Sequence, residues 1–174
     1  MLTDCRAYQR FIGRVQIHEI SAIIQVGVNK AKDCIDIRDS FDSRVIGFHS
    51  DNWSSNNESY LEMKLHPQHN IRFVPLDICE TDLDSWWIEN EDVEVNMVLL
   101  GIDGGEKNRE VLNGMKKLLT KIEYVIATVK VSSSEYQLLN KLLSENRFEG
   151  IEVESYDSRY NICLFRKTKR IQID

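Results

Sequence analysis

The chain has 174 residues, of which 42% are hydrophobic and 29% charged, with a net charge of −6 at neutral pH. That length can bury a full core in one domain, and the excess of acids argues against broad phosphate-backbone binding, which runs on Lys and Arg. No apolar run approaches the roughly 20 residues of a membrane span.

The start, MLTDCRAYQRF, lacks the apolar stretch of a secretory signal, so a cytoplasmic protein without nucleic-acid or membrane partners is expected. The four scattered cysteines (Cys5, Cys34, Cys79, Cys163) form no C-x-x-C pair. Free, mostly buried thiols are expected in place of a disulfide frame or zinc site. Two prolines and eight glycines leave no low-complexity linker. Residues 1–174 therefore read as a single domain, with 1–19 an N-terminal extension and the basic run FRKTKR (165–170) a solvated tail end that continues through 168–174.

From residue 22, strand-like and helix-like segments alternate. AIIQV (22–26) is a short apolar run ended by Gly27, a buried strand. KAKDCIDIRDSF (30–41) is helix-compatible, and RVIGF (44–48) is a second short strand. NNESYLEMKL (56–65) carries Tyr60, Leu61 and Leu65 near helical spacing until His66-Pro67 stops it. NIRFVPLDI (70–78) is a third strand, whose pairing Pro75 ends. An acidic connection holding Trp86 and Trp87 leads to VNMVLLGI (95–102), a continuous apolar run that marks a central strand covered on both faces. EKNREVLNGMKKLLTK (106–121) sets Val111, Leu112, Met115, Leu118 and Leu119 at the spacing of one amphipathic helix. IEYVIATVKV (122–131) is the next strand. Ser132-Ser133-Ser134-Glu135 then offers a capping box to a helix carrying Leu138, Leu139, Leu142 and Leu143. IEVESY (151–156) and YNICLFRK (160–167) flank Asp157-Ser158-Arg159 as a closing hairpin.

This order predicts an α/β fold: a mostly parallel sheet, helices on both faces and one antiparallel strand at or near the edge. Right-handed crossovers then bring the strand C-termini to one edge of the sheet. Those ends are Gly27, Phe48–Asp51, Asp77 and Asp103.

Several of these ends can carry chemistry. Gly27 would let a ligand approach the backbone, and the next helix N-terminus would offer free N–H groups. A plain strand-to-helix turn is the preferred reading when the stretch is taken alone. A carboxylate after the second strand of such a fold bonds ribose hydroxyls; the nearest here is Asp51, beyond His49, which is otherwise a solvated turn residue. Asp77 sits where a side chain can bond an adenine edge, or is a turn residue before ETDLD. Asp103 follows the best-buried strand and faces the crevice, where it could position a hydroxyl or act as a base; capping of the next helix is the alternative, and is preferred for Glu106. His66 and His69 lack a matching acid or cysteine at ligand spacing, so no metal is expected. Trp86 and Trp87 read as packing, with the rim of a sugar site as the other reading. No G-x-S-x-G, Walker or H-E-x-x-H motif is present.

The segment VLLGIDGGEKNREVLNGMKKLLTKIEYVIATV (98–129) resembles the hallmark of the FkbM family of S-adenosylmethionine-dependent methyltransferases. That pattern is an apolar strand, K-I-D-x-x-G-x-E-x-x-V-L-x-G, and a second apolar strand. Ile102, Asp103, Gly105, Glu106, Val111, Leu112 and Gly114 fall on it, with a small spacing discrepancy around the glycines and the acid, and Gly101 stands in for the lysine. Residues 25–31 are similar to the family's D-V-G-A-N-x-G motif, VIGFHSDN (45–52) to V-x-A-F-E-P-x, and FEGIEVESYDSRYNICLFRK to its C-terminal hairpin. The resemblance spans roughly residues 20 to 167. It implies a Rossmann-like class I methyltransferase fold and O-methylation of a sugar, glycan or other small-molecule acceptor by in-line displacement. It places S-adenosylmethionine against Gln25, Gly27, Asn29, His49, Asp51, Asp77 and Ile78, with Asp103 toward the acceptor.

Three positions depart from the pattern: Gln25 replaces an Asp, Ala31 a Gly and His49 a Glu. Loss of a ribose-binding acid alone removes one or two charge-assisted hydrogen bonds, on the order of 1.5–3 kcal/mol each. The sequence therefore also fits an inactive methyltransferase-like domain that serves as a binding or assembly module, as a homo-oligomer or with a partner protein.

Overall fold

The computed structural model describes residues 6–15, 20–28, 31–49, 70–76, 81–101, 105–131 and 134–168. In chain order these hold α1 (Arg6–Ile12), β1 (Ala22–Val26), α2 (Ala31–Phe41), β2 (Arg44–His49), β3 (Ile71–Pro75), α3 (Leu83–Asn90) and β4 (Met97–Leu100). They continue with α4 (Gly105–Asn113), α5 (Lys116–Leu119), β5 (Tyr124–Lys130), α6 (Glu135–Glu145), β6 (Phe148–Ser155) and β7 (Tyr160–Lys167). The expected helix at 56–65, His66, His69, Cys5 and Cys79 lie outside the described residues.

The strands form one seven-stranded sheet in the order β3-β2-β1-β4-β5-β7-β6. β1 to β5 are parallel, and β7 runs antiparallel between β5 and β6. The expected mostly parallel sheet with one antiparallel strand near its edge is what forms. The physical reason is visible in burial: every residue of β4 is buried, as are the first six of β5, so both faces need helical cover.

Two core clusters lie on opposite faces. Ile24, Val98, Leu100, Val125 and Ala127 join α3, α4, α5 and α6 through Leu83, Val111, Leu112, Leu118 and Leu139. Ile23, Met97, Leu99 and Ile126 join α1 and α2 through Tyr8, Phe11, Cys34 and Ile37 on the other face. Both described cysteines, Cys34 and Cys163, are free and buried, and burial pushes the Cys163 thiol up to about 12.

α1 was not expected. Its short stretch carries a weak helical signal of its own, yet Tyr8 and Phe11 are fully buried against the sheet. Arg10 and Arg14 pair with Glu154 and Glu152 of β6, so the element is held from the far edge of the sheet. The Tyr8 hydroxyl is buried with no hydrogen-bond partner among the described residues, and burial, reinforced by Asp36 and Asp33, pushes its phenol well above the usual range. An unpaired buried hydroxyl costs about 1–3 kcal/mol. Tyr8→Phe is therefore expected to raise stability by about 1 kcal/mol in urea unfolding; a clear loss would show that the hydroxyl has a partner in solution.

The supposed acidic connection before β4 is a helix. Asp82 caps α3 by accepting from the backbone N–H groups of Asp84 and Ser85, and the Ser85 hydroxyl, donating to it, holds its carboxyl below the usual range. Trp87 is buried, and Trp86 meets Phe48 edge-on at 5.0 Å under the Arg72 guanidinium, so the pair packs. Arg44 and Arg72 close on the Glu91 carboxylate at 2.8 and 2.7 Å, tying the starts of β2 and β3 to the end of α3.

The single amphipathic helix expected over 106–121 breaks in two at Gly114-Met115. A Cβ on Gly114 would lie 3.0 Å from the Thr81 carbonyl oxygen. The buried Asp84 carboxylate then accepts from the N–H groups of Lys117 and Leu118 at 2.7 and 2.8 Å, capping α5 from 33 residues away. The N-cap of α6 is Ser134, whose side chain makes no cap bond, and Glu135 accepts from the Lys130 N–H; Ser132 and Ser133 of the expected capping box lie outside the described residues. The basic run is not all tail. Phe165 is buried in β7, Arg166 pairs with Glu149, and the Lys167 ammonium donates to the Leu119 carbonyl oxygen.

Candidate functional site

β1, β2 and β4 end together at one edge of the sheet, with Val26 level with Phe48 on one side and Leu100 on the other. The chain leaves β1 through Gly27 at φ +71°, the left-handed region that costs an L-residue about 1–2 kcal/mol. Val28 N then donates to Phe48 O at 3.1 Å, folding the turn back over β2 toward α2. Among the described residues a Cβ at Gly27 would touch only the Gly101 Cα, at 3.8 Å, and Gly27 itself is exposed.

Gly101 supplies the other half of the arrangement. Its N–H donates to Val26 O at 3.0 Å, and a Cβ there would lie 2.6 Å from Val26 O and 2.9 Å from Gly27 O. Both obstacles are backbone, so no side chain fits without moving the turn. This close approach accounts for a glycine at position 101. The clash is between residues 75 positions apart, and no local sequence signal identifies it.

The side chains around the turn point elsewhere. Gln25 is buried, and its carboxamide oxygen accepts a hydrogen bond from the Cys34 thiol of α2 at 3.0 Å. Burial, with Asp33 adding to it, raises that thiol far above its ordinary range and keeps it a donor. His49 ends β2 at 3% exposure, its ring 6.5 Å from that of Phe73, and its carbonyl accepts from Leu76 N at 3.0 Å. Of the sequence candidates, Gln25, Gly27 and His49 thus meet at the strand ends, although the Gln25 and His49 side chains are enclosed by protein. Asn29, Asp51, Asp77, Ile78 and Asp103 lie outside the described residues, as does the Glu106 side chain.

The spacing discrepancy in the hallmark segment can also be placed. Counting back without a gap from Val111, Leu112 and Gly114, the pattern's acid falls on Asn108 and its glycine on Glu106. Asn108 is buried on the same stripe of α4 as Val111 and Leu112.

A seven-stranded sheet in this order, with a left-handed glycine turn after β1 and an antiparallel closing hairpin, is the fold of class I S-adenosylmethionine-dependent methyltransferases, and comparison with solved structures gives the same fold. Magnesium protoporphyrin IX methyltransferase from Synechocystis PCC 6803, solved with bound SAM, superposes with a TM-score of 0.64 at 10% identity over 96% of this chain and 81% of that one. The 1,6-didemethyltoxoflavin-N1-methyltransferase of Burkholderia thailandensis, holding S-adenosylhomocysteine and its substrate, gives 0.62 at 13% identity over 96% and 80%. Sp1610 of Streptococcus pneumoniae, a putative tRNA (m1A22) methyltransferase, gives 0.64 at 13% identity over 96% and 72%. No protein-family model matches the chain, and neither does any curated protein. Among the described residues no helix is long and apolar enough to cross a membrane, and no group of three or more His, Cys, Asp or Glu could hold a metal ion.

Proposed function

We propose that the chain is an S-adenosylmethionine-dependent O-methyltransferase of the FkbM type, acting on a hydroxyl of a small acceptor, most simply a saccharide. The observation that carries this reading is the Gly27 turn, held open at φ +71° against Gly101 where the two central strands end. It presents exposed backbone at the crevice, as close approach by a cofactor requires. The neighbouring structures that hold SAM or S-adenosylhomocysteine on the same fold support it, and two further neighbours, StiE O-MT and NcsB1, are O-methyltransferases.

In this reading the cofactor lies against Gly27, with Asn29, Asp51, Asp77 and Ile78, which follow β1, β2 and β3 in the sequence, as its further contacts. The cofactor would supply an electrophilic methyl group. The chain's own part is to align the acceptor oxygen in line with that methyl and to take its proton, a role assigned to Asp103. An inactive binding module is favoured by one observation, the inward turn of Gln25 onto Cys34 together with the enclosure of His49.

Calorimetric titration with S-adenosylhomocysteine separates the two. Saturable heat, with a matching rise in melting temperature, is expected; no signal at millimolar ligand would sink the enzyme reading. In the same assay, Gly27→Ala should weaken binding about tenfold while costing only about 1–2 kcal/mol of stability, because its Cβ meets a backbone penalty and not a wall.

A further inference from the structure

β5 outruns its parallel neighbour. β4 pairs with it only as far as Ala127, whereas β5 continues to Lys130 against Tyr160 of β7. Beyond that pair, Val131 N donates to Arg159 O at 2.8 Å, so the end of β5 and the β6–β7 turn are tied together. The turn is itself fixed: the Asp157 carboxylate accepts from Arg159 N at 2.7 Å and from Tyr160 N at 2.9 Å.

Between these two fixed walls lies an open cavity of about 300 Å³ lined by Lys130, Val131, Ser158, Arg159 and Tyr160. Its contents are unusual for a chain of net charge −6: two cations, a hydroxyl, an aromatic ring and a half-exposed valine. Lys130 and Tyr160 are direct cross-strand partners and so share a face of the sheet. The Arg159 guanidinium stands 5.4 Å from the centre of the Tyr160 ring. Its ion pair with Asp157 is long, 3.7 Å, and its side chain is 75% exposed. Among the described residues, the Asp157 carboxylate also accepts from the two turn amides, and Glu135 accepts from the Lys130 N–H at 3.2 Å.

We propose that this cavity docks an anionic group, a carboxylate or a phosphate, of the methyl acceptor, an assignment that rests on the methyltransferase reading. Lys130 and Arg159 meet the anion, Ser158 adds a hydroxyl donor, and Tyr160 with Val131 gives a flat apolar wall for a ring. The cavity opens at the sheet edge that carries the Gly27 turn. β5 is two strands from β1, about 10 Å across the edge, and Lys130 and Val131 stand two to three residues, about 7–10 Å, beyond the level of Gly27. A span of about 12–14 Å suits an acceptor longer than a single ring, held at one end by its charge while a hydroxyl reaches the crevice. An open cavity of this size, at the small end for ligand sites, selects by charge more than it holds by burial.

The test uses matched probes and the full chain. Binding of 4-nitrophenyl β-D-glucuronide and of 4-nitrophenyl β-D-glucoside, which differ at a carboxylate, is followed by saturation-transfer NMR, with 4-nitrophenyl phosphate as the phosphate arm. The glucuronide is expected to bind about tenfold tighter than the glucoside, with the preference shrinking as salt is raised. The double variant Lys130→Gln, Arg159→Gln should abolish the preference, and Arg159→Lys should keep most of it. Equal binding of the two glycosides, or a preference that survives the double variant, overturns the proposal. Tighter binding of the phosphate than of the glucuronide assigns the anion to a phosphorylated acceptor, and the reverse order to a carboxylate. S-adenosylhomocysteine titration of the same samples keeps the two failures apart. Cofactor binding without anion preference overturns the docking site alone. Anion preference without cofactor binding overturns the methyltransferase reading, and with it the assignment of the docked group to an acceptor.

Discussion

Gly101→Ala is expected to destabilise the chain by about 3 kcal/mol and to lower its melting temperature by on the order of 10 °C. A methyl group at that position would sit 2.6 Å from Val26 O and 2.9 Å from Gly27 O. Flexible side chains can yield to such a contact, but two carbonyl groups of a central strand and its turn cannot do so without giving up the Gly101 N–H bond to Val26 O. The same displacement would carry the Gly27 turn away from its open geometry, so S-adenosylhomocysteine binding should fall further than in Gly27→Ala. A variant that melts within about 2 °C of the parent chain and binds equally well would show that the turn adapts, and that Gly101 is not part of the site.

Asp84→Ala should cost a similar amount, about 3 kcal/mol, through a different mechanism. The wild-type carboxylate is buried and accepts two short bonds from Lys117 N and Leu118 N. Charge-assisted bonds of this kind contribute about 1.5–3 kcal/mol each, and alanine would leave the two N–H groups without acceptors. Asp84→Asn, which keeps one acceptor oxygen, should lose roughly half as much. In urea the midpoint should move without a change in slope, and amide exchange at Lys117 and Leu118 should accelerate ahead of exchange in β4 and β5. Unchanged protection at those two amides would mean that α5 holds itself without the cap.

The site was only partly legible in the sequence. Gly27 could be read because a glycine after an apolar run is a local signal, and a left-handed turn between strand and helix is a local event. Gln25 and His49 could be read as departures from a pattern, but not as residues enclosed by Cys34 and Phe73, since those neighbours come from other elements. Gly101 could be seen only as a missing lysine. Its reason is a contact with Val26 and Gly27, and a chain read in one dimension does not show which backbone atoms meet. The Lys130–Arg159 cavity was hidden for the same reason: its residues belong to a strand and a turn about thirty positions apart.

What the sequence determined alone is the alternation of strand and helix, because the continuous apolar runs of β1, β4 and β5 fit only strands buried on both faces. From those runs followed the parallel sheet and the edge at which a site must lie, while IEVESY and YNICLFRK around Asp157-Ser158-Arg159 marked the antiparallel hairpin. Tertiary structure decided where helices begin and end when their caps are remote. It broke the 106–121 segment at Gly114 and capped α5 with Asp84. It turned the acidic connection into α3, and it seated α1 through Tyr8, Phe11 and two arginines that reach β6. Periodicity is a property of neighbours in the chain and survives in one dimension; caps, close approaches and ion pairs join residues tens of positions apart, and only the folded chain brings them together.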